Sequence, residues 1–202
     1  MLNRFRAFWA NLLTPTARFL LRRGVGPDVV TLVGTVGVVA GALVFFPRGQ
    51  LLIGVLVVTA FVFSDLLDGT MARMAGTPSR WGAFLDSTLD RLGDAAIFGG
   101  LVMYFVGPGD SDWQAALALY CLVMGSVTSY ARARAESLGM EAKGGLAERA
   151  DRLVAILVMT GLSDIFDVPL LITVTLAVLA VASTVTVFQR VLTVRAQAKT
   201  AV

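Results

Sequence analysis

The chain has 202 residues, 56% hydrophobic and 15% charged, with a mean hydropathy of +0.77; it is too apolar for a water-soluble domain of this length and belongs in a bilayer. Its net charge of +3 sits on basic residues beside apolar stretches, which matches an anionic lipid surface and not nucleic acid. The absence of histidine removes the usual general base and zinc ligand, and a single cysteine, Cys121 in an apolar run, excludes an intrachain disulfide and a thiolate metal site and reads as packing.

Residues 2–22 place Phe5, Phe8, Trp9, Leu12 and Leu13 at helical spacing among arginines. That pattern predicts an interfacial amphipathic helix; a cleaved signal peptide would need a long apolar core directly after the basic residues. A crossing helix needs roughly 20 mostly apolar residues. Such stretches follow at Val29–Phe46, Leu51–Ala72, Ala83–Val106, Trp113–Ala135, Leu146–Leu162 and Val168–Phe188. They are separated by Pro47-Arg48-Gly49, Gly76-Thr77-Pro78-Ser79, Gly107-Pro108-Gly109, residues 139–145 and residues 163–167. The expected fold is an all-α integral membrane protein in one domain: a juxtamembrane helix over 1–26 and a six-helix bundle over 27–202.

Short cytoplasmic loops retain lysine and arginine. Of the 17 basic residues, all but Arg48 fall in the segments before the first span, between the second and third, between the fourth and fifth, and after the sixth, with their flanking turns. The opposite loops carry Asp110, Asp112, Asp164 and Asp167. Both termini are therefore expected in the cytoplasm.

Acids inside a span are costly and draw attention to function. Asp65 and Asp68 lie near the end of the second span; Asp86, Asp90 and Asp94 lie near the start of the third. At about 1.5 Å per residue, Asp65 is about 10 Å from one helix end and Asp90 about 12 Å from the other, so two antiparallel helices bring the acids to one depth. Asp65, Asp68, Gly69 and Ala72 share one helical face, and Asp86 and Asp90 share another. A lone acid here could simply pair with an arginine and hold the bundle. Four at one depth call for counter-charge, and oxygen-only ligands favour Mg²⁺ or Mn²⁺; two ions sharing Asp65 and Asp86 would make a two-metal site. Gly69 and Ala72 leave room for a nucleotide, with Arg73 placed for a diphosphate. Asp94 continues the series by one turn, as a ligand or as a structural acid.

The string Asp65-x-x-Asp68-Gly69-x-x-Ala72-Arg73, eight residues, Gly82-x-x-x-Asp86-x-x-x-Asp90 resembles the complete signature of the CDP-alcohol phosphotransferase family. The resemblance implies a six-helix fold, usually dimeric, with a site open to the cytoplasm. It assigns Asp65 and Asp86 to both metals, Asp68 to the first and Asp90 to the second, with Asp90 also the general base. It puts CDP-diacylglycerol contacts on Asp28, Val29, Val30, Thr31, Gly69, Arg73 and Ser79. For Pro27 and Asp28, a helix start is an equally natural role.

Thr14-Pro15, Pro27-Asp28-Val29-Val30-Thr31, Ser129-Tyr130-x-Arg132-Ala133-Arg134-Ala135-Glu136 and Glu148-Arg149-x-x-Arg152-Leu153 resemble the actinobacterial branch of that family that makes phosphatidylinositol phosphate. The implied acceptor is inositol 1-phosphate, which needs a second anion site. Arg132, Arg134, Arg149, Arg152 and Arg190 are available. Arg149 and Arg152 share a face, while Arg132 and Arg134 diverge. Arg132, Arg152 and Arg190 are the selected candidates, although positive-inside loops carry arginines whatever the substrate. Glycerol 3-phosphate would suit the same charges, making a phosphatidylglycerophosphate synthase the alternative. A non-catalytic transporter or scaffold is the reading of another class, but the sequence shows neither internal repeats nor interrupted mid-membrane helices.

Overall fold

A computed structural model describes residues 13–76 and 79–200. Residues 2–12 of the expected interfacial helix, and Thr77 and Pro78 of the expected turn, lie outside the described residues.

Among the described residues all regular structure is helical: α1 (residues 13–22), α2 (Pro27–Phe45), α3 (Leu51–Val62), α4 (Ser64–Met74), α5 (Arg80–Val106), α6 (Asp112–Ser137), α7 (Arg149–Phe166) and α8 (Leu170–Thr200). The sequence sets most of these ends. Pro27 opens α2 after an extended Gly26, with Asp28 in the first turn. Ser79 caps α5 by accepting from the Gly82 N–H at 2.8 Å. Glu148 and Asp151 form a reciprocal capping box, so α7 begins at Arg149 and not at the expected Leu146.

The expected second span, Leu51–Ala72, is broken at Phe63 into α3 and α4. There is no proline; the Leu66 N–H reaches only three residues back, to Phe63 O at 3.2 Å, and the Ser64 hydroxyl takes Phe61 O at 2.6 Å. These short-range bonds tighten one turn and interrupt the regular ladder.

Taking α3 and α4 as one rod, the packing contacts run α2 to α5, α5 to α6, α6 to α8, α8 to α7, α7 to α3 and α3 back to α2. The six rods thus close a ring. Its apolar core centres on Phe46, Ile97, Phe98, Leu101, Ile156 and Leu176. Close helix approach depends on missing side chains: a Cβ on Gly100 would sit 2.9 Å from Ala42 O, and one on Gly41 2.8 Å from the Val57 side chain. The cysteine has a packing role: buried Cys121 points its thiol at Leu176 O, 3.3 Å away, across the α6–α8 contact. Asp164, at the far end of α7, accepts from the Leu52 N–H at 2.9 Å and so caps α3 from another helix.

Among the described residues four helical stretches are long and apolar enough to cross a membrane: Pro27–Arg48, Leu51–Met74, Asp112–Ser137 and Leu170–Lys199. The α5 and α7 rods carry more charge, of which Asp94 and Arg152 are buried. In α7, Arg152, Thr160 and Ser163 are buried while Val154, Val158 and Ile165 are exposed; in α5, Asp94 is buried while Leu92, Met103 and Val106 are exposed.

Candidate active site

Two hollows open at the end of the bundle where α2, α5 and α7 begin. The first, about 310 Å³, is lined by Pro27, Asp28 and Thr31 of α2, Asp68, Gly69 and Ala72 of α4, and Ser79, Gly82, Ala83 and Asp86 at the start of α5. The motif glycines differ in role. A Cβ on Gly69 would meet only Arg73 Nη1, at 3.8 Å, so this glycine keeps space open. A Cβ on Gly82 would press on the capping Ser79 hydroxyl at 3.1 Å, with Asp28 Oδ1 at an ordinary contact distance of 3.7 Å, so that glycine leaves room for the α5 cap.

Asp68 is 8% exposed. Its Oδ2 accepts from the Thr31 hydroxyl at 2.5 Å, a charge-assisted bond that ties α4 to α2. The negative charges of Asp86 and Asp90 bear on it from α5.

The second hollow is larger, about 980 Å³, and shares Ala83 and Asp86 with the first. Asp90, Arg91, Ser129, Arg132, Arg149, Arg152 and Arg190 are on its wall. It therefore joins two of the expected acids to all three selected arginines. Arg152 is only 2% exposed and donates to Ala147 O at 3.0 Å; Arg190 donates to Thr128 O at 2.7 Å and Gly144 O at 3.2 Å. Both are fixed by backbone carbonyls of the α6–α7 region. Arg132, by contrast, is on the outer wall, paired with Glu136 at 2.9 Å.

The other expected residues fall as follows. Asp28, Thr31, Gly69 and Ser79 line the first hollow. Val29 and Val30 turn into a neighbouring apolar groove of about 490 Å³, with Leu13, Leu20, Val33 and Phe61. Arg73 donates to the Thr70 hydroxyl at 3.1 Å and is not on the wall of the first hollow. The side chain of Asp65 lies outside the described residues. Among the described residues no three acidic side chains form a ready group for one ion.

One arginine was not selected from sequence and has a central position. Arg149 reaches Asp90 Oδ1 at 2.9 Å and Asp94 Oδ1 at 3.0 Å, linking α7 to α5. The signal was present in its shared face with Arg152, but only the juxtaposition of α7 and α5 distinguishes it from other interfacial arginines. Arg91 also joins the wall, bonded to the Ser129 hydroxyl and 3.4 Å from Asp94.

The donor chemistry suits a hard divalent cation. Asp68 and Asp86 face the same hollow, neither has an ion pair with a described basic residue, and the chain has no His to bring in softer ligation.

Residues 25–185 match the sequence model of a family described as CDP-alcohol phosphatidyltransferase. The phosphatidylinositol phosphate synthase of Streptomyces avermitilis is 55% identical over 202 residues, covering 96% of this chain and 83% of that protein. Among solved structures, the Mycobacterium tuberculosis phosphatidylinositol phosphate synthase with CDP-DAG bound is similar with a TM-score of 0.88 at 46% identity, over 91% of this chain and 94% of that one. The same enzyme in complex with manganese and citrate gives 0.85 at 46% identity, over 90% and 88%.

Proposed function

This chain belongs to the CDP-alcohol phosphatidyltransferase family, and from that premise we propose that it transfers the phosphatidyl group of CDP-diacylglycerol to inositol 1-phosphate, releasing CMP. It is a membrane enzyme of phospholipid synthesis. The observation that carries a phosphorylated acceptor is the pair of hollows meeting at Ala83 and Asp86, a small one beside the signature residues and a larger one walled by arginines. The choice of inositol 1-phosphate over glycerol 3-phosphate rests on the similarity to phosphatidylinositol phosphate synthases. A nucleotide diphosphate in the first and a phosphorylated alcohol in the second would meet at Asp86 and Asp90.

In this reading Asp65, Asp68, Asp86 and Asp90 hold two Mg²⁺ ions, or Mn²⁺ in their place, which when bound supply positive charge against the diphosphate. Thr31 orients Asp68. Asp28, Thr31, Gly69, Arg73 and Ser79 contact the nucleotide part of CDP-diacylglycerol, and Val29 and Val30 meet its lipid part through the apolar groove. Arg152 and Arg190, presented by their carbonyl contacts, bind the acceptor phosphate with Arg132 at the rim. Asp90 accepts the proton of the attacking hydroxyl as that oxygen bonds to the β-phosphorus and the bond to CMP breaks. No covalent enzyme intermediate is needed.

We also read six crossings. Charged Asp94 and Arg152 turned inward, with Leu92, Met103, Val106, Val154, Val158 and Ile165 exposed on the outside, support counting α5 and α7 with the four apolar spans. The distribution of basic residues supports cytoplasmic termini and a cytoplasmic site. The amphipathic first helix and a homodimer rest on the residue pattern and the family resemblance respectively.

CMP release from membranes containing the protein, given CDP-diacylglycerol, Mg²⁺ and either inositol 1-phosphate or glycerol 3-phosphate, tests the assignment. Release is expected with inositol 1-phosphate, lost with a chelator and restored by Mg²⁺ or Mn²⁺. Preference for glycerol 3-phosphate would overturn the acceptor, and no release with any alcohol would overturn the enzyme reading.

A further inference from the structure

The signature ends at Asp90, yet the next acid in the α5 series, Asp94, is 6% exposed and sits where three guanidinium groups converge. Its Oδ1 is 3.0 Å from Arg149 Nε; its Oδ2 is 3.4 Å from Arg91 Nη1 and 3.8 Å from Arg152 Nη2. Those arginines come from α5 and from two successive turns of α7. All three also lie on the wall of the larger hollow, whereas Asp94 itself does not.

Asp90 also reaches Arg149 at 2.9 Å and Arg91 at 3.8 Å, so two carboxylates leave the three guanidiniums an excess of one positive charge, and Arg190 on the same wall adds a second. That excess matches a phosphate dianion. Without Asp94 the three cations would repel one another more strongly in a poorly solvated place, and Arg152, 2% exposed, would lose the one acidic partner it has among the described residues. With Asp94, the three guanidiniums share one buried anchor while their side chains remain on the wall of the cavity. Room is provided from the opposite side: a Cβ on Gly125 of α6 would lie 3.2 Å from both Nε and Nη2 of Arg152.

We propose that Asp94 is a positioning residue for the acceptor: it is not a metal ligand but the buried anchor that holds Arg91, Arg149 and Arg152 as a dianion-binding group, and so favours a phosphorylated alcohol over a free one. The proposal rests on the acceptor-phosphate reading given above. It assigns Asp94 to the acceptor side of the site, and Asp90, which shares Arg149 at 2.9 Å, to the boundary between acceptor and nucleotide.

The test uses the full-length protein with the Asp94→Asn, Asp94→Glu and Gly125→Ala variants. KM is measured for inositol 1-phosphate and CDP-diacylglycerol, together with the Mn²⁺ concentration giving half-maximal rate. Losing a charged anchor should raise the inositol 1-phosphate KM of Asp94→Asn about tenfold or more. The CDP-diacylglycerol KM and the Mn²⁺ requirement should stay near wild type. Asp94→Glu should recover part of the loss, and Gly125→Ala, which crowds Arg152 without removing a charge, should raise the same KM severalfold. An unchanged or lower acceptor KM in Asp94→Asn overturns the proposal. So does a raised Mn²⁺ requirement, which would make Asp94 a ligand, or equal weakening of both substrates, which would make it structural. If Asp94→Asn does not fold, Gly125→Ala decides, and an unaltered acceptor KM there refutes the placement of Arg152. A wild-type protein that uses no phosphorylated alcohol sinks the acceptor reading itself, independently of the variants.

Discussion

Replacing Thr31 by valine keeps the shape of the side chain and removes one donor. That hydroxyl has two acceptors in reach, Asp68 Oδ2 at 2.5 Å and Pro27 O at 3.1 Å. With a single proton, it donates to the nearer, charged partner. Thr31 and Asp68 are each only 8% exposed, although both line the first hollow, so water replaces the lost bond only in part. A buried hydrogen bond to a charged group contributes about 1.5–3 kcal/mol, or roughly 10- to 100-fold in an equilibrium constant. Because Asp68 is proposed to hold a metal, Thr31→Val should raise the Mg²⁺ or Mn²⁺ concentration for half-maximal CMP release by about that factor, as loss of a ligand's supporting contact commonly does. Thr31→Ser, which keeps the hydroxyl, should stay close to wild type. The assay is CMP release against metal concentration at saturating CDP-diacylglycerol. A wild-type metal requirement in Thr31→Val would refute the reasoning, and a raised KM for CDP-diacylglycerol alone would reassign Thr31 to the nucleotide.

Asp90→Asn removes the proposed proton acceptor and the Arg149 ion pair at 2.9 Å; turnover should vanish while CDP-diacylglycerol binding, followed by calorimetry, remains measurable, and full activity would exclude Asp90 as base. Gly100→Ala places a methyl 2.9 Å from Ala42 O and 3.1 Å from the Phe46 ring, so forcing α2 from α5 should cost about 1–3 kcal/mol and lower the thermal midpoint in detergent. An unchanged midpoint would contradict the close approach. For orientation, buried Cys121 gives a silent thiol background. A cysteine introduced as Asp112→Cys should react with an impermeant maleimide on intact cells, and one introduced as Lys143→Cys only after permeabilisation; the reverse pattern would invert the topology.

Much of this molecule is readable along the chain because the relevant contrasts are local. Apolar runs of membrane length, the one-sided distribution of basic residues, and acids at helical spacing inside such runs need no knowledge of neighbours. The helix start at Pro27 follows from chemistry within one turn, whereas α5 begins at Arg80, capped by Ser79, three residues before the expected Ala83. The start of α7 was misplaced because the apolar Leu146 extends the hydrophobic run, while the capping box of Glu148 and Asp151 fixes the helix three residues later. The break at Phe63 has no proline or glycine to announce it.

By itself the sequence determined the membrane class, the helix-borne acids and the supply of arginines, since each depends on composition or on the 3.6-residue period. Tertiary structure decided what those charges do. Closure of the ring sets the start of α7 across from α5 within reach of arginine side chains, and that arrangement places Arg149 between Asp90 and Asp94, buries Arg152, and leaves Arg132 at the rim. The physical reason is that an arginine's role depends on which acid, carbonyl or cavity lies within a few ångströms, and in this chain those partners are 55 residues away for Arg149 with Asp94 and 62 for Arg190 with Thr128.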